Sequence, residues 1–439
     1  MTSEPATGHD LGALARLTAG WQSHDGPASI RLHAERYGPL PADSRSWLAA
    51  EVTAAGLTGR GGANFPTGRK MQAVTGHRGP AVVVANAMES EPASEKDQAL
   101  LARAPHLVLD GLELAGDAVG ATEAHLCLSR SRPRLADLVF AAADERRRAG
   151  HDRIRVQIHE LPHHYVASEE TALVHWLNGG EAKPTVTPPR PSERGVGRRP
   201  TLIDNVETLA HVALIGRYGA SWFRQAGSDQ SPGTMLVTVT GAVRQPGVYE
   251  VEAGIRISRV LALAGAAADS LAVLIGGFFG TWHQIADVAR LPLTKEGLSP
   301  AGGSPGAGVL FVLPAGGCGL GEAARVLRYL AGQGAQQCGP CIFGLPAIAD
   351  DLTQLAASRP DGAPLDRLER RLRQISGRGA CRHPDGAVRM AASSLATFAA
   401  DVHAHARRRP CLSARGGQPT AITRLPVPVP GQMADGAWR

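Results

Sequence analysis

The sequence predicts an α/β domain, then a small β-rich unit, then a helical region. Short apolar segments typical of buried strands alternate with longer helical segments over the first half of the chain. From residue 234 the pattern changes to closely spaced strands joined by turns, and from residue 319 it becomes mostly helical. The 439 residues suffice for two to four domains of about 100–200 residues each, so we expect the three regions to be separate units.

The composition narrows the possible functions. The 52 glycines and 31 prolines exceed average usage, which excludes a simple helical bundle and predicts many loops. Only 4% of the residues are aromatic, so base stacking on nucleic acid is not expected. The net charge of +6 fits anionic cofactors or an acidic partner protein. No apolar run approaches the roughly 18–20 residues of a membrane helix, and the N-terminus lacks a signal pattern. We therefore expect a cytoplasmic protein without direct membrane insertion.

Periodicity and end signals predict the elements of the α/β domain. Residues 1–40 are polar and rich in turn formers, which predicts an arm lying on another surface. Residues 43–56 predict a helix capped by Asp43 or Ser44. Residues 80–86 are continuously apolar and β-branched, which predicts a buried strand. The further elements expected in this domain are helices at 95–104, 106–120, 132–149, 168–178 and 204–218, and strands at 123–129 and 153–159.

The same signals predict the elements of the other two regions. After a linker at 219–232, the β-rich unit is predicted to contain strands at 234–241, 247–251, 271–275 and 308–313 and a helix at 256–264. The helical region is predicted to contain helices at 319–334, 342–357, 364–375 and 386–406. From Cys411 onward, a segment that includes PVPVPG predicts a disordered tail.

The first motif is the glycine-rich stretch Gly59–Lys70 (GRGGANFPTGRK). Successive glycines allow backbone N–H groups to surround an anion. The stretch leads into a helix that begins near Thr67, whose N-terminus favours phosphate, and Arg60 and Lys70 add positive charge. The glycine spacing fits neither a Rossmann fingerprint nor a P-loop. The residues alone therefore leave open a phosphate cradle and an ordinary flexible loop.

Polar and acidic residues follow the predicted buried strand as Asn86–Pro92 (NAMESEP). Open α/β sheets bind ligands at the carboxyl ends of their strands, and these side chains suit ribose or ribityl hydroxyls. A helix N-terminus enriched in acids explains the stretch equally well. Two further polar stretches are Tyr165–Thr171 (YVASEET) and Thr201–Leu209 (TLIDNVETL), where Asp204 could simply cap a helix.

Three of the six cysteines have a spacing typical of metal sites. Cys338 and Cys341 form a CxxC pair, and Cys381 follows in a later helical segment. Thiolates in such a set select zinc or an iron–sulfur cluster. A thioredoxin-type redox motif would need a βαβ context, whereas these surroundings are helical.

The other cysteines and the C-terminal histidines predict no metal site. We expect Cys127 and Cys318 to be buried thiols and Cys411 to be free in the tail. His403 and His405 are two residues apart, so they project to different sides of a helix, which disfavours a metal pair.

Taken in order, these stretches resemble the flavin- and NADH-binding subunit of respiratory complex I and the related diaphorase subunits of bacterial hydrogenases and formate dehydrogenases. The family pattern GRGGAGFPTGxK is matched by Gly59–Lys70 except at Asn64. The pattern NADExEP is matched by Asn86–Pro92, GEETALxxxLEG by Ser168–Gly179, and KPTxxNNVETL by Arg199–Leu209. The resemblance runs from about residue 30 to about residue 408, nearly the whole chain.

This resemblance implies a domain organisation and a flavin site. It implies an α/β FMN-binding domain at 41–220, a ubiquitin-like β-grasp domain of the SLBB type at 233–315 and a helical iron–sulfur bundle at 319–408, between an arm at 1–40 and a disordered tail at 409–439. It implies cofactor-binding roles for Gly59, Arg60, Gly61, Gly62, Ala63, Phe65, Gly68, Lys70, Asn86, Glu89, Ser90, Tyr165 and Asn205. It implies that Glu91, Glu169 and Glu170 face the nicotinamide side, orient the nicotinamide and help set the flavin potential. NADH or NADPH would be the substrate that passes a hydride to FMN, and the electrons would then move singly to the cluster.

The family cluster is a [4Fe–4S] cluster on four cysteines. The residues that align with three of these ligands are Cys338, Cys341 and Cys381. The first ligand falls at Ala335, which cannot bind iron. Several outcomes stay open: a fourth ligand from outside or from His383 or Gln337, a [3Fe–4S] cluster, zinc, or loss of the cluster.

The chain departs from the family pattern at other positions. Met88 stands where the family has an aspartate, and Ser168 where it has a glycine. Ala73 replaces a stacking aromatic residue, and Thr187 and Arg190 replace a lysine and a phenylalanine. These departures predict a flavin site that is mostly kept and a nucleotide site that is changed at its adenine end, where Arg190 could contact a 2′-phosphate.

The sequence therefore predicts a flavin- and iron–sulfur-dependent electron-transfer oxidoreductase, an NADH:acceptor oxidoreductase subunit that uses NAD(P)H and a protein acceptor such as a ferredoxin. The alternative is a degenerate family member that acts as a non-catalytic binding or scaffold subunit without NADH oxidation. The expected partners are NAD(P)H and a ferredoxin-like or other electron-transfer subunit, and not nucleic acid. The expected location is cytoplasmic, and it could be peripheral to a membrane complex.

Overall fold

Two β-sheets and a group of helices follow one another along the chain in a computed structural model that describes residues 15–21, 26–77, 79–359, 363–409, 411, 424–429 and 437–439. The first sheet has four parallel strands in the order β3-β2-β1-β4: β1 (Ala81–Ala87), β2 (Ala121–Ser129), β3 (Val156–Leu161) and β4 (Thr201–Asn205). The helices of this part are α1 (Ile30–Tyr37), α2 (Leu48–Ala55), α3 (Thr67–Thr75), α4 (Lys96–Arg103), α5 (Pro105–Val119), α6 (Pro133–Arg148), α7 (Glu170–Leu177) and α8 (Val206–Phe223).

Strand β1 is buried on both faces, which explains its continuous apolar sequence. Val83 and Ala85 join the larger core, to which α5 and α8 contribute. Val82 and Val84 point to the opposite face and pack in a second core to which α7 contributes. The prediction of a buried strand is thus confirmed. Strand β4 was not predicted, because its five residues follow a proline and run directly into α8.

The second sheet has five strands in the order β6-β5-β9-β7-β8, with β5 and β9 parallel and the other pairs antiparallel. Its strands are β5 (Thr234–Gly241), β6 (Gly247–Glu252), β7 (Ala272–Ile275), β8 (Thr281–Gln284) and β9 (Val309–Val312), with helices α9 (Ile257–Leu263), α10 (Ile285–Val288) and α11 (Lys295–Leu298). Four of these strands and α9 are confirmed predictions, whereas β8 is a short strand after a glycine-rich turn that the sequence did not reveal.

The C-terminal part is helical, as predicted. Its helices are α12 (Gly319–Gln333), α13 (Leu345–Ala356), α14 (Pro364–Ile375), α15 (His383–Thr397) and α16 (Ala399–Ala406). The single helix expected over 386–406 is divided at Phe398, whose backbone leaves the helical region at φ −108° and ψ 33°. Among the described residues, none of the helices combines the length and the apolar character needed to cross a membrane.

Both ends of the chain contact its body. Near the N-terminus, the backbone N–H groups of Arg16, Leu17 and Thr18 donate to the buried carboxylate of Glu250 on β6 at 2.9–3.0 Å, so this part of the predicted arm does lie on another surface. Near the C-terminus, Leu425 is buried.

At the end of the chain the Trp438 ring stacks on His164 at 3.7 Å, and its carbonyl accepts from the Ala182 N–H at 2.7 Å. These described pieces are therefore held against the body, in contrast to the disorder that composition predicts for 409–439. Aromatic stacking and backbone pairing supply contacts that a composition rule does not count.

Candidate functional site

The carboxyl ends of β1 and β4 open into a cleft of about 760 Å³. The two strands pair in parallel with Asn86 opposite Asn205, so the polar residues that follow each strand meet at one edge of the sheet. The cleft is lined by fifteen of the sixteen residues predicted to bind the cofactor or act in catalysis: Gly59, Arg60, Gly61, Gly62, Ala63, Phe65, Lys70, Asn86, Glu89, Ser90, Glu91, Tyr165, Glu169, Glu170 and Asn205. The remaining predicted residue, Gly68, does not line it.

The glycine-rich loop is closed at its base. The Gly59 N–H donates to the Phe65 carbonyl at 2.8 Å, and Thr58 and Pro66 form an isolated antiparallel β-bridge. Gly62 has a φ of +103°, which favours glycine. A Cβ atom at Gly61 would meet the Cβ of Asn205 at 3.4 Å, so the loop lies directly over the end of β4.

Gly68 has a packing role that its predicted cofactor role did not anticipate. A Cβ atom there would lie 2.1 Å from the Oγ1 of Thr53 and 2.9 Å from its Cα. The absence of a side chain therefore lets α3 approach α2 closely. The position of Gly68 in the motif is explained by helix packing rather than by contact with the cleft.

Two of the basic residues of this stretch, Arg60 and Lys70, have different partners. Lys70 extends to the end of β4, where its Nζ donates to the Ile203 carbonyl at 2.6 Å and to Glu170 at 2.5 Å, and lies 3.5 Å from Asp204. The guanidinium of Arg60 instead donates to the Thr234 carbonyl at 2.9 Å on β5. The charge of Arg60 thus joins the two sheets, whereas its backbone borders the cleft.

The residues after β1 differ in how many of their hydrogen-bonding groups are free to contact a ligand. Both oxygens of Glu89 are engaged, with Ser94 and the Asp97 N–H at 2.8 Å on one, and Arg132 at 2.9 Å and the Gln98 N–H at 3.0 Å on the other. These four bonds fill the carboxylate's acceptor sites. Glu89 therefore fixes the start of α4, and the flavin hydrogen bond expected of it has no free acceptor.

Asn86 and Ser90 fasten the end of β1 to the segment before α7. The Asn86 side-chain amide donates to the Ser168 carbonyl at 2.8 Å, and the Ser90 hydroxyl donates to the Tyr165 carbonyl at 2.8 Å. The hydroxyls of Ser90 and Ser168 also lie 2.5 Å apart. Ser168 stands where the family has a glycine, and its hydroxyl is hydrogen-bonded to Ser90.

Glu91 and Tyr165 lie where the three parts of the chain meet. The Tyr165 hydroxyl and the Phe278 N–H each donate to Glu91 Oε2 at 2.8 Å, and the Tyr165 N–H donates to the Gln333 side chain at 3.0 Å. Burial raises the pKa of Glu91 to about 7, although the bonds from Phe278 and Tyr165 lower it. This carboxyl therefore exchanges its proton near neutral pH.

The adjacent acids Glu169 and Glu170 have separate roles. Glu169 caps α7, since one of its oxygens accepts from the N–H groups of Thr171 at 2.9 Å and Ala172 at 3.2 Å. Burial raises the pKa of Glu169, although these bonds lower it. Glu170 pairs with Lys70.

A buried charge network that reaches the wall of the cleft was not predicted. The Lys96 Nζ lies 2.6 Å from Asp97 and 2.7 Å from Glu207, and the Asn205 amide donates to Asp97 at 2.5 Å. Burial raises the pKa of Asp97 to about 6, although Lys96 lowers it. The signal for this network in the sequence is a lysine–aspartate pair just after the acidic motif, a pattern that is also typical of an ordinary helix start.

Four buried side-chain atoms of residues that line the cleft have no hydrogen-bond partner among the described residues: Arg60 Nε, Asn64 Nδ2, Asp204 Oδ2 and His383 Nδ1. Burial raises the pKa of Asp204 to about 6, although Lys70 lowers it. Unpaired buried donors and acceptors are costly, so they favour a polar ligand. Together with backbone N–H groups at the helix start and a volume within the range of cofactor sites, they fit FMN.

The cysteine set lies at the other wall of the same cleft. Cys381 lines the cleft together with His383. Burial raises the pKa of the Cys341 thiol to about 12, and the neighbouring thiols of Cys338 and Cys381 also raise it; burial and the Cys338 thiol raise the pKa of Cys381. Three thiols therefore converge as the family alignment implies, and their chemistry fits an iron–sulfur cluster. The fourth family position, Ala335, is buried and offers no ligand atom.

His383 combines burial with an available nitrogen. Its Nε2 lies 2.8 Å from the Leu330 carbonyl, which can only accept, so Nε2 carries the proton. Its Nδ1 is then a lone pair, and it is buried without a partner in the described chain. Burial lowers the pKa of His383 to about 4, so the ring is neutral at physiological pH.

Several residues that depart from the family pattern line the cleft. Ala73, Thr187 and Arg190 all line it, together with Pro184 and Ser192. Ser168, another changed position, lies beside the kept residues Asn86 and Ser90.

Comparison with known families assigns each of these parts. The Nuo51 FMN-binding domain family matches residues 52–214, the SLBB domain family residues 236–274, and the NADH-ubiquinone oxidoreductase-F iron–sulfur binding region residues 321–405. The FMN-binding and iron–sulfur regions both border the cleft. The SLBB region contributes to the second sheet, whose connecting segments also reach the cleft at Gly276 and Gly306.

Individual relatives match over most of the chain. One of the NADH-quinone oxidoreductase F subunits of Rhizobium meliloti is 32% identical over 376 residues, which is 82% of this chain and 89% of the relative. The NADH-quinone oxidoreductase F subunit of Streptomyces coelicolor is 31% identical over 83% of this chain and 84% of its own length. A crystal structure of an NAD⁺-reducing [NiFe]-hydrogenase in the air-oxidized state superposes with a TM-score of 0.76 at 32% identity, covering 82% of this chain and 62% of the hydrogenase chain.

Proposed function

The chain belongs to the family of NADH-quinone oxidoreductase F subunits, and from this premise we propose that it is the NAD(P)H-oxidising subunit of an electron-transfer enzyme with a protein acceptor. The observation that carries the proposal is that one cleft is bordered by the glycine-rich loop, the ends of β1 and β4, and Cys381. Bound FMN would supply hydride acceptance and single-electron release. The acceptor of this chemistry would be a ferredoxin-like or other electron-transfer subunit.

The residues that would hold the flavin are those with unused hydrogen-bonding capacity. Backbone N–H groups of Gly61 and Gly62 and the start of α3 would face the phosphate. The Asn64 amide and the free oxygen of Asp204 would take polar groups of the ribityl chain or ring. Lys70 offsets part of the negative charge at the end of β4 by pairing with Glu170 and Asp204.

Glu91 would act by holding a proton and by positioning Tyr165. Its pKa of about 7 means that the cleft gains a negative charge as the pH rises through neutrality. That charge would disfavour electron-rich flavin states and so would affect the flavin potential. Glu169 and Glu170 lie on the same wall, where they would contact the nicotinamide side of the substrate.

Arg190, which lines the cleft, is the residue that bears on the choice of dinucleotide. Arginine suits a phosphate group, which keeps NADPH a candidate beside NADH. The family lysine and phenylalanine are missing here, so we expect weaker adenine contacts than a member with both would have.

The proposed fourth cluster ligand is Nδ1 of His383. The ring is neutral, its Nε2–H is fixed on Leu330, and its Nδ1 is buried without a partner in the described chain, two residues after Cys381. Histidines that bind metals usually donate the N–H of their other ring nitrogen to a carbonyl or carboxylate, as His383 does here.

The test is pulsed electron paramagnetic resonance of the reduced protein. Nitrogen coupling is expected in the wild type and in the exposed control variant Gln337→Ala, and it should be lost in His383→Ala. A wild-type spectrum without nitrogen coupling would exclude this ligand.

The experiment on the proposed function itself is anaerobic reduction. Purified protein should contain FMN, and its flavin absorbance should bleach on addition of NADH or NADPH. Arg190→Gln should weaken bleaching by NADPH more than bleaching by NADH if the arginine contacts the 2′-phosphate. Protein that takes up no FMN on reconstitution, or whose flavin neither dinucleotide reduces, would contradict the proposal.

A further inference from the structure

A second group of metal-ligating side chains lies away from the cleft, at the far end of the helical part. Cys318, His405 and Cys411 each place one ligand atom within 4.8 Å of the other two. The Cys318 Sγ and the His405 Nε2 are 4.0 Å apart. His405 and Cys411 are both 3% exposed. The three residues come from the turn before α12, from α16 and from the chain that follows α16.

The histidine of this group is oriented as a metal ligand would be. Its Nδ1 lies 3.0 Å from the Leu355 carbonyl. Because a carbonyl only accepts, Nδ1 carries the proton, and Nε2 presents its lone pair toward Cys318. Such a carbonyl partner fixes both the tautomer and the ring plane of ligating histidines.

The cysteine before α12 is also held in place. Cys318 is the N-cap of that helix, and its Sγ accepts from the Gly321 N–H at 3.3 Å. The backbone thus fixes the sulfur from one side while the imidazole faces it from the other.

We propose that Cys318, His405 and Cys411 bind a zinc ion. Two sulfurs and one imidazole are the donors that zinc prefers. Zn–S and Zn–N bonds of about 2.3 Å and 2.0–2.1 Å at tetrahedral angles place the sulfur and nitrogen about 3.6 Å apart, so the observed 4.0 Å needs only a small approach. The fourth position would be filled by water or by Asp401, which is one turn before His405 on the same face of α16. On binding, each thiol loses its proton to solvent, and each thiolate forms one bond to the metal.

This ion would fasten the chain after α16 to the first turn of α12. The opposite end of α12 carries Gln333, which accepts from the Tyr165 N–H at the cleft. The zinc site would therefore be structural, since it fixes a helix that contacts the cleft without lining the cleft itself.

The test is the metal content of full-length protein purified without chelators and then dialysed against zinc sulfate. We expect about one zinc per chain in addition to any iron. Cys411→Ser and His405→Gln should each lower zinc at least about tenfold. Two controls should keep the zinc: His403→Gln, an exposed position on the same helix, and Cys338→Ser, which removes a thiol of the other cysteine set. Wild-type protein that binds no zinc, or zinc that persists in Cys411→Ser, would overturn the proposal.

A measurement on the wild type avoids any folding defect of the variants. Thiol alkylation followed by mass spectrometry should modify Cys411 at least about tenfold faster after a zinc chelator has been added. Equal rates with and without chelator, or a disulfide between Cys318 and Cys411 in anaerobically prepared protein, would exclude the zinc site. Flavin content is measured on the same samples, so failure of the zinc site is distinguished from failure of the proposed function.

Discussion

The buried carboxyl of Glu91 should make the stability of the protein depend on pH near neutrality. Its pKa is about 7, compared with an ordinary value of 4.5. Because the folded-state pKa is the higher one, folding is favoured by the protonated form. This contribution is complete below pH 4.5 and is lost as the pH rises through 7. The difference between the two pKa values corresponds to about 3 kcal/mol, of which about 2 kcal/mol falls between about pH 5.5 and about pH 8.5.

Glu91→Gln removes the ionisation but keeps an oxygen that can accept from the Phe278 N–H. We therefore expect the variant to gain stability relative to the wild type as the pH rises. For a domain of about 150–250 residues, about 2 kcal/mol moves Tm by about 4–8 °C. Thermal unfolding of the flavin-free proteins at the two pH values measures this gain directly.

The matched control is Glu35→Gln, an exposed glutamate on α1 whose side chain is 58% accessible. It should follow the wild type at both pH values. A difference in Tm between Glu91→Gln and the wild type that is the same at both pH values would refute the reasoning, because the carboxyl would then not titrate in this range.

Three further outcomes follow from contacts at the cleft. Lys70→Met leaves the buried Asp204 without its cation, so we expect a loss of about 3–5 kcal/mol by chemical denaturation and weaker FMN binding by fluorescence titration; the double variant with Asp204→Asn should recover stability, and no recovery would contradict the pairing. Gly68→Ala places a methyl group against Thr53, so it should cost about 1–3 kcal/mol, whereas Gly79→Ala at an open site should be a milder change governed by its positive φ alone. Arg60→Met should lower Tm without abolishing FMN binding, since its guanidinium bonds β5; loss of FMN binding in a folded Arg60→Met protein would show that the side chain reaches the cofactor.

One part of the flavin wall could be predicted from general topology. The polar residues after 80–86 follow a predicted strand, and the carboxyl ends of strands are where open α/β sheets bind ligands. The role of Asn205 came from the family resemblance alone, because β4 was not predicted and its pairing with β1 was therefore unknown. The glycine-rich motif then identified the loop above these residues. The motif could not show where the individual residues point. The Arg60 side chain points to Thr234 and not into the cleft, and Gly68 packs against Thr53.

Other features depend on contacts between distant segments, which no local pattern records. The spacing of two between His403 and His405 argued against a histidine pair, yet His405 meets cysteines far away in sequence. The short strand β4 was hidden because five residues give little periodicity. The network of Lys96, Asp97 and Glu207 was missed because charged residues at helix starts are ordinarily solvated.

The contacts around Glu91 also limit how this chain can be recombined with its relatives. The carboxylate comes from the first part of the chain, Phe278 from the second, and Gln333, which holds Tyr165, from the third. The three regions look modular in sequence, but their junction is a shared polar cluster. A chimaera that exchanges one region with a relative should therefore keep Glu91, Tyr165 and Gln333 as a matched set and a residue with a backbone N–H at position 278. Crossover points placed between domains will be tolerated only where the relative supplies the same hydrogen-bond donors and acceptors.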